Sequence, residues 1–434
     1  MNRKIPLGLS LALLLIVACL SVTLTMVFAM DRFSSTVNEV TKRQAQFDYL
    51  AEIDKAVRQN YRGTINESKL REAVASVYMQ NIGDRYADYL TADEYAALQR
   101  ARAGKGEGFG ITLARGANGE VLVSAVDEAS PAGLAGVQVG DVLTTIDGLT
   151  LDSVSGLTQA REELGAVSKA VLTVLREEKT VSFNLTRNEY ELISVQSEMI
   201  DTVGYLRIRT FNATTPKQFF AAYEGLLSAG AQAVVFDVRG NQGGMLSAAC
   251  EILSYLMPRG AYATRTNAGG GAETLSADNS AYELNIPAAV LVNGTTEGEA
   301  ELFAGVLRSF SKALAIGTTT RGRAMVQEYF SVSSDNSAIK LTVAELGLIQ
   351  GGSWETAGIV PDVEEKLNIS VGSVDALTRE QDTQLAAAVR EMVAAVTGPS
   401  TTEPTTGTTV TVPTTTETEP TEESSAPDAE NAES

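Results

Sequence analysis

Residues 290–327 read VLVNGTTEGEAELFAGVLRSFSKALAIGTTTRGRAMVQ, and this stretch decides the fold. Residues 288–293 form a short apolar run ending on a polar residue, the pattern of a buried strand. Residues 294–298 form a turn bounded by glycines, and 301–310 carry the apolar periodicity of a helix. A second apolar run, Ala313-Leu314-Ala315-Ile316-Gly317, leads into a threonine- and glycine-rich loop that holds Arg321 and Arg323, with Gln327 just beyond.

The same alternation extends outward. Ala233-Val234-Val235-Phe236-Asp237-Val238-Arg239 is a continuous apolar run that turns polar at its end, as a buried parallel strand does. Gly240-Asn241-Gln242-Gly243-Gly244 follows, then an apolar helix over 245–257. Residues 203–208 alternate like a half-buried strand. Thr214 and Thr215 stand before Pro216 as candidate N-caps, and that helix ends near Gly230. Residues 338–344 read as a further strand. Residues 382–396 read as a helix with Leu385, Val389, Met392 and Val393 on one face.

Composition removes several kinds of chemistry. The 434 residues allow two or three domains, and the net charge of −20 lacks the basic patch that nucleic-acid binding needs. Histidine is absent, which excludes Ser-His and Cys-His triads and the commonest metal ligand. Cys19 lies in the apolar N-terminal segment and Cys250 in an amphipathic helix, so neither a disulfide nor a structural zinc is expected, and no cofactor.

Arg3 and Lys4 precede an uncharged stretch, 5–30, longer than the roughly 20 residues needed to span a bilayer. Phe28-Ala29-Met30 makes a poor cleavage site. Ile16-Val17-Ala18-Cys19 faintly resembles a lipoprotein processing box, but apolar residues continue to Met30. The favoured reading is an uncleaved signal anchor over 5–30, with 1–4 cytoplasmic and the chain beyond Asp31 outside; the alternative is a signal peptide that is removed.

Residues 31–103 read as a helical segment. Phe47, Leu50, Ile53, Val57 and Tyr61 form one stripe, and Ser68 to Glu72 makes a loose capping box. Residues 397–434 are rich in Thr, Glu, Pro and Ser and read as a disordered tail.

Two sets of motifs carry resemblances. Gly108-Phe109-Gly110-Ile111, Ser130-Pro131-Ala132-Gly133-Leu134-Ala135-Gly136 and Val139-Gly140-Asp141 through Asp147-Gly148 place 104–187 close to PDZ domains. The resemblance implies that Gly108, Phe109, Gly110 and Ile111 form a carboxylate-binding loop, with a peptide adding as a strand beside it.

The second set comprises Gly83-Asp84-Arg85-Tyr86, the 233–244 strand and glycine turn, the quoted 290–327 stretch and Gly358-Ile359-Val360-Pro361-Asp362-Val363. Together these resemble the carboxyl-terminal processing (tail-specific) serine peptidases over residues 40–396. The fold implied is an α/β (α+β) core of the ClpP/crotonase-like type over 188–370. It carries an inserted PDZ domain, an N-terminal helical segment, a single transmembrane helix and a C-terminal helix over 371–396.

In that family a nucleophilic serine stands where this chain has Gly298, and a general-base lysine stands 25 residues on, where it has Arg323. Gln327 matches a glutamine that orients the lysine, and Gly243 and Gly244 match a turn contributing to the oxyanion hole. Glycine offers no nucleophile, and a guanidinium stays protonated, so it cannot serve as base. The implied protein binds without cutting. It uses the PDZ groove and a vacant cleft, takes up protein carboxyl termini, or associates with active family members. An ion pair between Arg323 and Glu297 or Glu299 is expected in the cleft, with Gln327 accepting from the guanidinium. The competing reading is a working endopeptidase with a substitute nucleophile, Thr295 or Thr296, for which Lys312 lies outside the motif.

Overall fold

The computed structural model describes residues 7–151, 155–278, 283–367, 374 and 377–398. The chain divides into two compact units, Met1–Gly83 and Asp84–Ser434. The tail expected to be disordered lies outside the described residues beyond 398, as do Arg3 and Lys4.

In the first unit one uninterrupted helix runs Leu7–Asn60. Its segment Leu14–Phe33 is long and apolar enough to cross a membrane. The next helix, Glu67–Gln80, is capped by Asn66, whose side chain accepts from the Lys69 N–H at 3.1 Å. This corrects the capping box expected at Ser68. Ser68 is already helical, and its hydroxyl donates to Glu72 at 3.0 Å. Asn66, in extended backbone, is the residue positioned to reach the third N–H of the helix. Arg58 joins the two helices through Glu67 at 2.6 Å and is held by Asp54 of its own helix at 2.7 Å.

The second unit is built on a six-stranded sheet ordered 195–200, 203–208, 233–237, 288–292, 314–317, 363–364. The first pair is antiparallel and the others parallel. Alternate side chains go to opposite faces, as a pleated strand dictates. Val234, Phe236, Val290 and Val292 enter a large core with Phe219, Ile252, Leu253 and Phe303 from the helices Thr215–Ser228, Leu246–Leu256 and Glu299–Ser309. Val235, Ala289, Leu291 and Ile316 pack on the other face against Leu385, Ala388 and Met392 of the helix Thr383–Thr397. A helix-covered parallel sheet of this kind explains why its strands read as unbroken apolar runs.

At the end of the 233–237 strand Arg239 is fully buried. It bonds Asp237 at 2.6 Å, Asp382 at 2.7 Å and Gln384 at 3.0 Å. Burial works against ionised Asp237, but the Arg239 guanidinium prevails and holds its carboxyl below the usual range. The cluster therefore pins the C-terminal helix to the rim of the sheet. The helix beginning at Thr215 corrects a second expectation: Thr214 makes no side-chain cap. Asn212 takes that role, accepting from the N–H of Thr214 at 2.9 Å and of Thr215 at 3.1 Å.

A second, antiparallel sheet pairs Ser337–Leu348 with Met325–Val332, Gly260–Asn267 and the short strand Asp88–Leu90. The PDZ region is a separate antiparallel sheet with its own core of Phe109, Val123, Leu143, Leu172 and Val174. It is entered and left through one ribbon, Lys105–Gly108 paired with Asn188–Glu191.

Candidate functional site

The parallel strands end on a common rim, and the loops leaving two of them meet there. Asn293, at the end of one strand, accepts from the Gly240 N–H at 3.1 Å beyond the other. Glu297 N–H donates to Asn241 O at 3.0 Å, locking turn to turn. The 240–244 turn is fastened below by Asn241, whose amide donates to Ile208 O and whose Oδ1 accepts from Gly243 N–H at 2.8 Å. Gly244 is required by its surroundings: at φ 147° a Cβ would stand 2.1 Å from Phe211 O.

Gly298 adopts φ 64°, ψ −121° at the head of the Glu299–Ser309 helix, a strained strand-to-helix turn. A Cβ at this glycine would point at Arg323, 3.0 Å from Nη2 and 3.5 Å from Nε. Positions 298 and 323 thus face each other across the cleft. Arg323 Nε is buried without a hydrogen-bond partner among the described residues, on the side that a residue-298 side chain would approach. Its Nη1 pairs with Glu297 Oε2 at 3.2 Å, and its Nη2 donates to Gln242 O at 3.0 Å. The expected ion pair is present, with Glu297 as partner.

Glu299 goes elsewhere. Its Oε2 accepts from Gly244 N–H at 2.8 Å, and the N–H of Glu299 itself also favours the charged carboxyl. Burial pushes this carboxyl above the usual range, against those N–H groups and the charges of Arg323 and Arg102.

The organiser of the site is Glu301, which reading the sequence left as an ordinary helix residue. It is fully buried. Oε1 accepts from Thr320 Oγ1 at 2.5 Å and Gly322 N–H at 2.7 Å; Oε2 accepts from Arg323 N–H at 2.8 Å and Gly298 N–H at 3.0 Å. One carboxylate thereby clasps both halves of the site. The available signal was its place three residues after the turn glycine, where a glutamate reaches back to the cap N–H.

The remaining predicted residues fall as follows. Gln327 does not reach the guanidinium; its amide donates to Met325 O at 2.9 Å, because a register shift between Val326 and Gln327 displaces it along the strand. Thr296 is buried and donates to Val238 O at 2.9 Å, while Thr295 caps onto Asn293 Oδ1 at 2.9 Å, so both hydroxyls serve the turn. Lys312 pairs with Glu283 beyond the far end of the helix. The cleft is therefore not vacant at its centre. A pocket of about 420 Å³ remains beside it, lined by Arg102, Met245, Glu328 and Tyr329, with the Arg102 guanidinium 5.3 Å above the Tyr329 ring.

In the PDZ region Gly108, Phe109, Gly110 and Ile111 line a pocket of about 360 Å³ together with Arg161, Leu164, Arg187 and Tyr190. Phe109 roots the loop in the PDZ core. Gly110, at φ 76°, lies so close to Ser130 that a Cβ would stand 2.0 Å from the serine Cβ. Arg161 donates to Leu113 O at 3.0 Å, and Arg187 lies 3.7 Å from Glu107. Glu107 and Asp127 line the same pocket and balance the two guanidiniums, so the backbone loop itself is the feature that suits the carboxyl end of an extended peptide.

Comparison with known proteins agrees with this architecture. The profile of peptidase family S41 matches residues 202–365, and that of the PDZ domain matches 108–186. The chloroplastic C-terminal processing peptidase of Tetradesmus obliquus is 30% identical over 303 residues, 65% of each chain. The carboxy-terminal processing protease CtpA of Bacillus subtilis is 27% identical over 334 residues, 74% of this chain and 70% of that one. The chain thus spans about two thirds of the length of these relatives. A solved S41-family structure from Bacteroides fragilis superposes with a TM-score of 0.51 at 21% identity, over 76% of this chain and 90% of its own. With its S41 core, PDZ insertion and processing-peptidase relatives, the chain belongs to the carboxyl-terminal processing peptidase family.

Proposed function

We propose that this protein is a membrane-anchored, extracytoplasmic member of the family that binds protein carboxyl termini through its PDZ groove and does not cut them. The observation that carries this reading is the facing pair of Gly298 and Arg323. A Ser-Lys mechanism needs a hydroxyl at one position and a neutral amine at the other, and neither is there. Thr296 is committed to Val238 O, which argues against a substitute nucleophile. The Arg323–Glu297 pair fills the centre of the cleft, which favours the PDZ groove as the binding site and association with an active relative as the route to an effect on proteolysis. The apolar span Leu14–Phe33 supports anchoring.

The test combines binding and cleavage by the purified full chain in detergent. A fluorescent peptide with an apolar, free carboxyl terminus is expected to raise anisotropy, and its C-terminal amide to bind at least tenfold more weakly. An unstructured protein with the same terminus should stay intact. Cleavage that disappears in Thr296→Ala would overturn the reading in favour of an endopeptidase.

A further inference from the structure

Glu299 stands immediately after Gly298, yet its side chain folds back into the protein instead of reaching solvent. Its Oε2 accepts from the Gly244 N–H, and the N–H of Glu299 also favours the charged carboxyl; these two N–H groups belong to the two segments that flank position 298, the glycine turn and the residue after the vacant nucleophile position. A carbonyl attacked from a side chain at 298 would direct its developing negative oxygen at such a pair of donors. The carboxyl oxygen already occupies that point, and the fit is close. A Cβ built on Gly243 would lie 2.3 Å from Oε2. The side chain is almost wholly buried, which for a carboxyl group is costly unless something specific holds it. The hydrogen bonds and the N-terminal end of the helix do so.

We propose that Glu299 is an internal ligand of the oxyanion site, so that the cleft is closed to substrate carbonyls independently of the missing serine and lysine. This rests on the reading of 298 and 323 as the dyad positions, and it predicts that restoring the dyad alone leaves the site shut.

The experiment compares Gly298→Ser/Arg323→Lys with the same variant carrying Glu299→Ala, using a fluorophosphonate probe on the full chain. In the labelling step the introduced serine hydroxyl forms an O–P bond, the P–F bond breaks, fluoride departs and the hydroxyl proton passes to the introduced amine. The phosphoryl oxygen needs the two N–H donors. The triple variant is expected to label at least tenfold faster than the double. Glu299→Gln in place of Ala keeps an acceptor in the pocket and should label no faster than the double.

Equal labelling of double and triple variants would overturn the proposal. So would labelling of neither, because something other than the carboxyl would then hold the site closed. Thermal melting supplies a second reading that needs no chemistry. Since the buried carboxyl is an internal ligand and not a strut, Glu299→Ala in the natural chain should melt no lower, and a drop of more than about 5 °C would overturn the proposal. Labelling of the natural chain would instead sink the proposed function, which separates the two failures.

Discussion

Replacing Glu301 should unfasten the whole rim, and the size of the effect follows from its four hydrogen bonds. Alanine removes both oxygens and leaves Gly298 N–H, Gly322 N–H, Arg323 N–H and the Thr320 hydroxyl without their acceptor. Bonds to a charged group contribute about 1.5–3 kcal/mol each, and stranded buried donors cost about 1–3 kcal/mol. Water entering the space repairs part of this, so a loss of about 4 kcal/mol is expected. Glutamine is the sharper probe. Each carboxylate oxygen faces two donors, so whichever way the amide turns, its NH₂ meets donors; the expected cost is about 2 kcal/mol. Trp354, the only tryptophan in the chain, is buried in the S41 core and reports that region alone. With an m-value of about 2–3 kcal/mol/M in urea, its fluorescence midpoint should fall by about 1.5 M in Glu301→Ala and roughly half that in Glu301→Gln. A Glu301→Gln midpoint indistinguishable from that of the natural chain would refute the clasp.

Three further outcomes are expected. Glu299→Gln tests the raised carboxyl. Because its folded pKa lies above the unfolded one, the stability it contributes is full in acid and is lost as pH rises through the folded value. The variant should therefore melt roughly 2–4 °C above the natural chain at pH 8, with the gap closing toward pH 4. Arg239→Met should lower stability by about 3–5 kcal/mol in the same fluorescence assay, since it strands Asp237 and Asp382 in the interior. Gly244→Ala, driven into Phe211 O, should cost at least about 3 kcal/mol, whereas Gly298→Ala, which adds the strain of a positive φ but meets only the movable end of Arg323, should cost about 1–2 kcal/mol; paired urea titrations compare them.

The parts of this molecule legible in the sequence are those fixed by period and by local turn chemistry. The strands 233–237 and 288–292 read as unbroken apolar runs because both faces of their sheet are covered. The cleft's ion pair was legible as a choice between two neighbouring glutamates, but not which one. That depends on the turn at Gly298, which leaves Glu297 in the loop before it, facing Arg323, and sends Glu299, the first helical residue, inward to Gly244. Glu301 was invisible as an organiser because its partners at 320–323 come from a loop about 20 residues away that only the sheet brings close. Gln327 was misplaced because a bulge resets the strand's register, and a two-residue period carries no mark of where such a slip occurs.

The ribbon joining Lys105–Gly108 to Asn188–Glu191 has a consequence for how the chain assembles. Everything between its strands carries its own core, so it can form as a local event. Once it has, the S41 region no longer closes a loop of about 85 residues but bridges the width of one strand pair. On a logarithmic loop cost of about 0.6 kcal/mol per doubling, that shortcut is worth roughly 2–3 kcal/mol of chain entropy. The two regions are then nested in time as well as in sequence: the inner one folds as a unit, and the outer one closes around its ends as though the insertion were a hairpin turn.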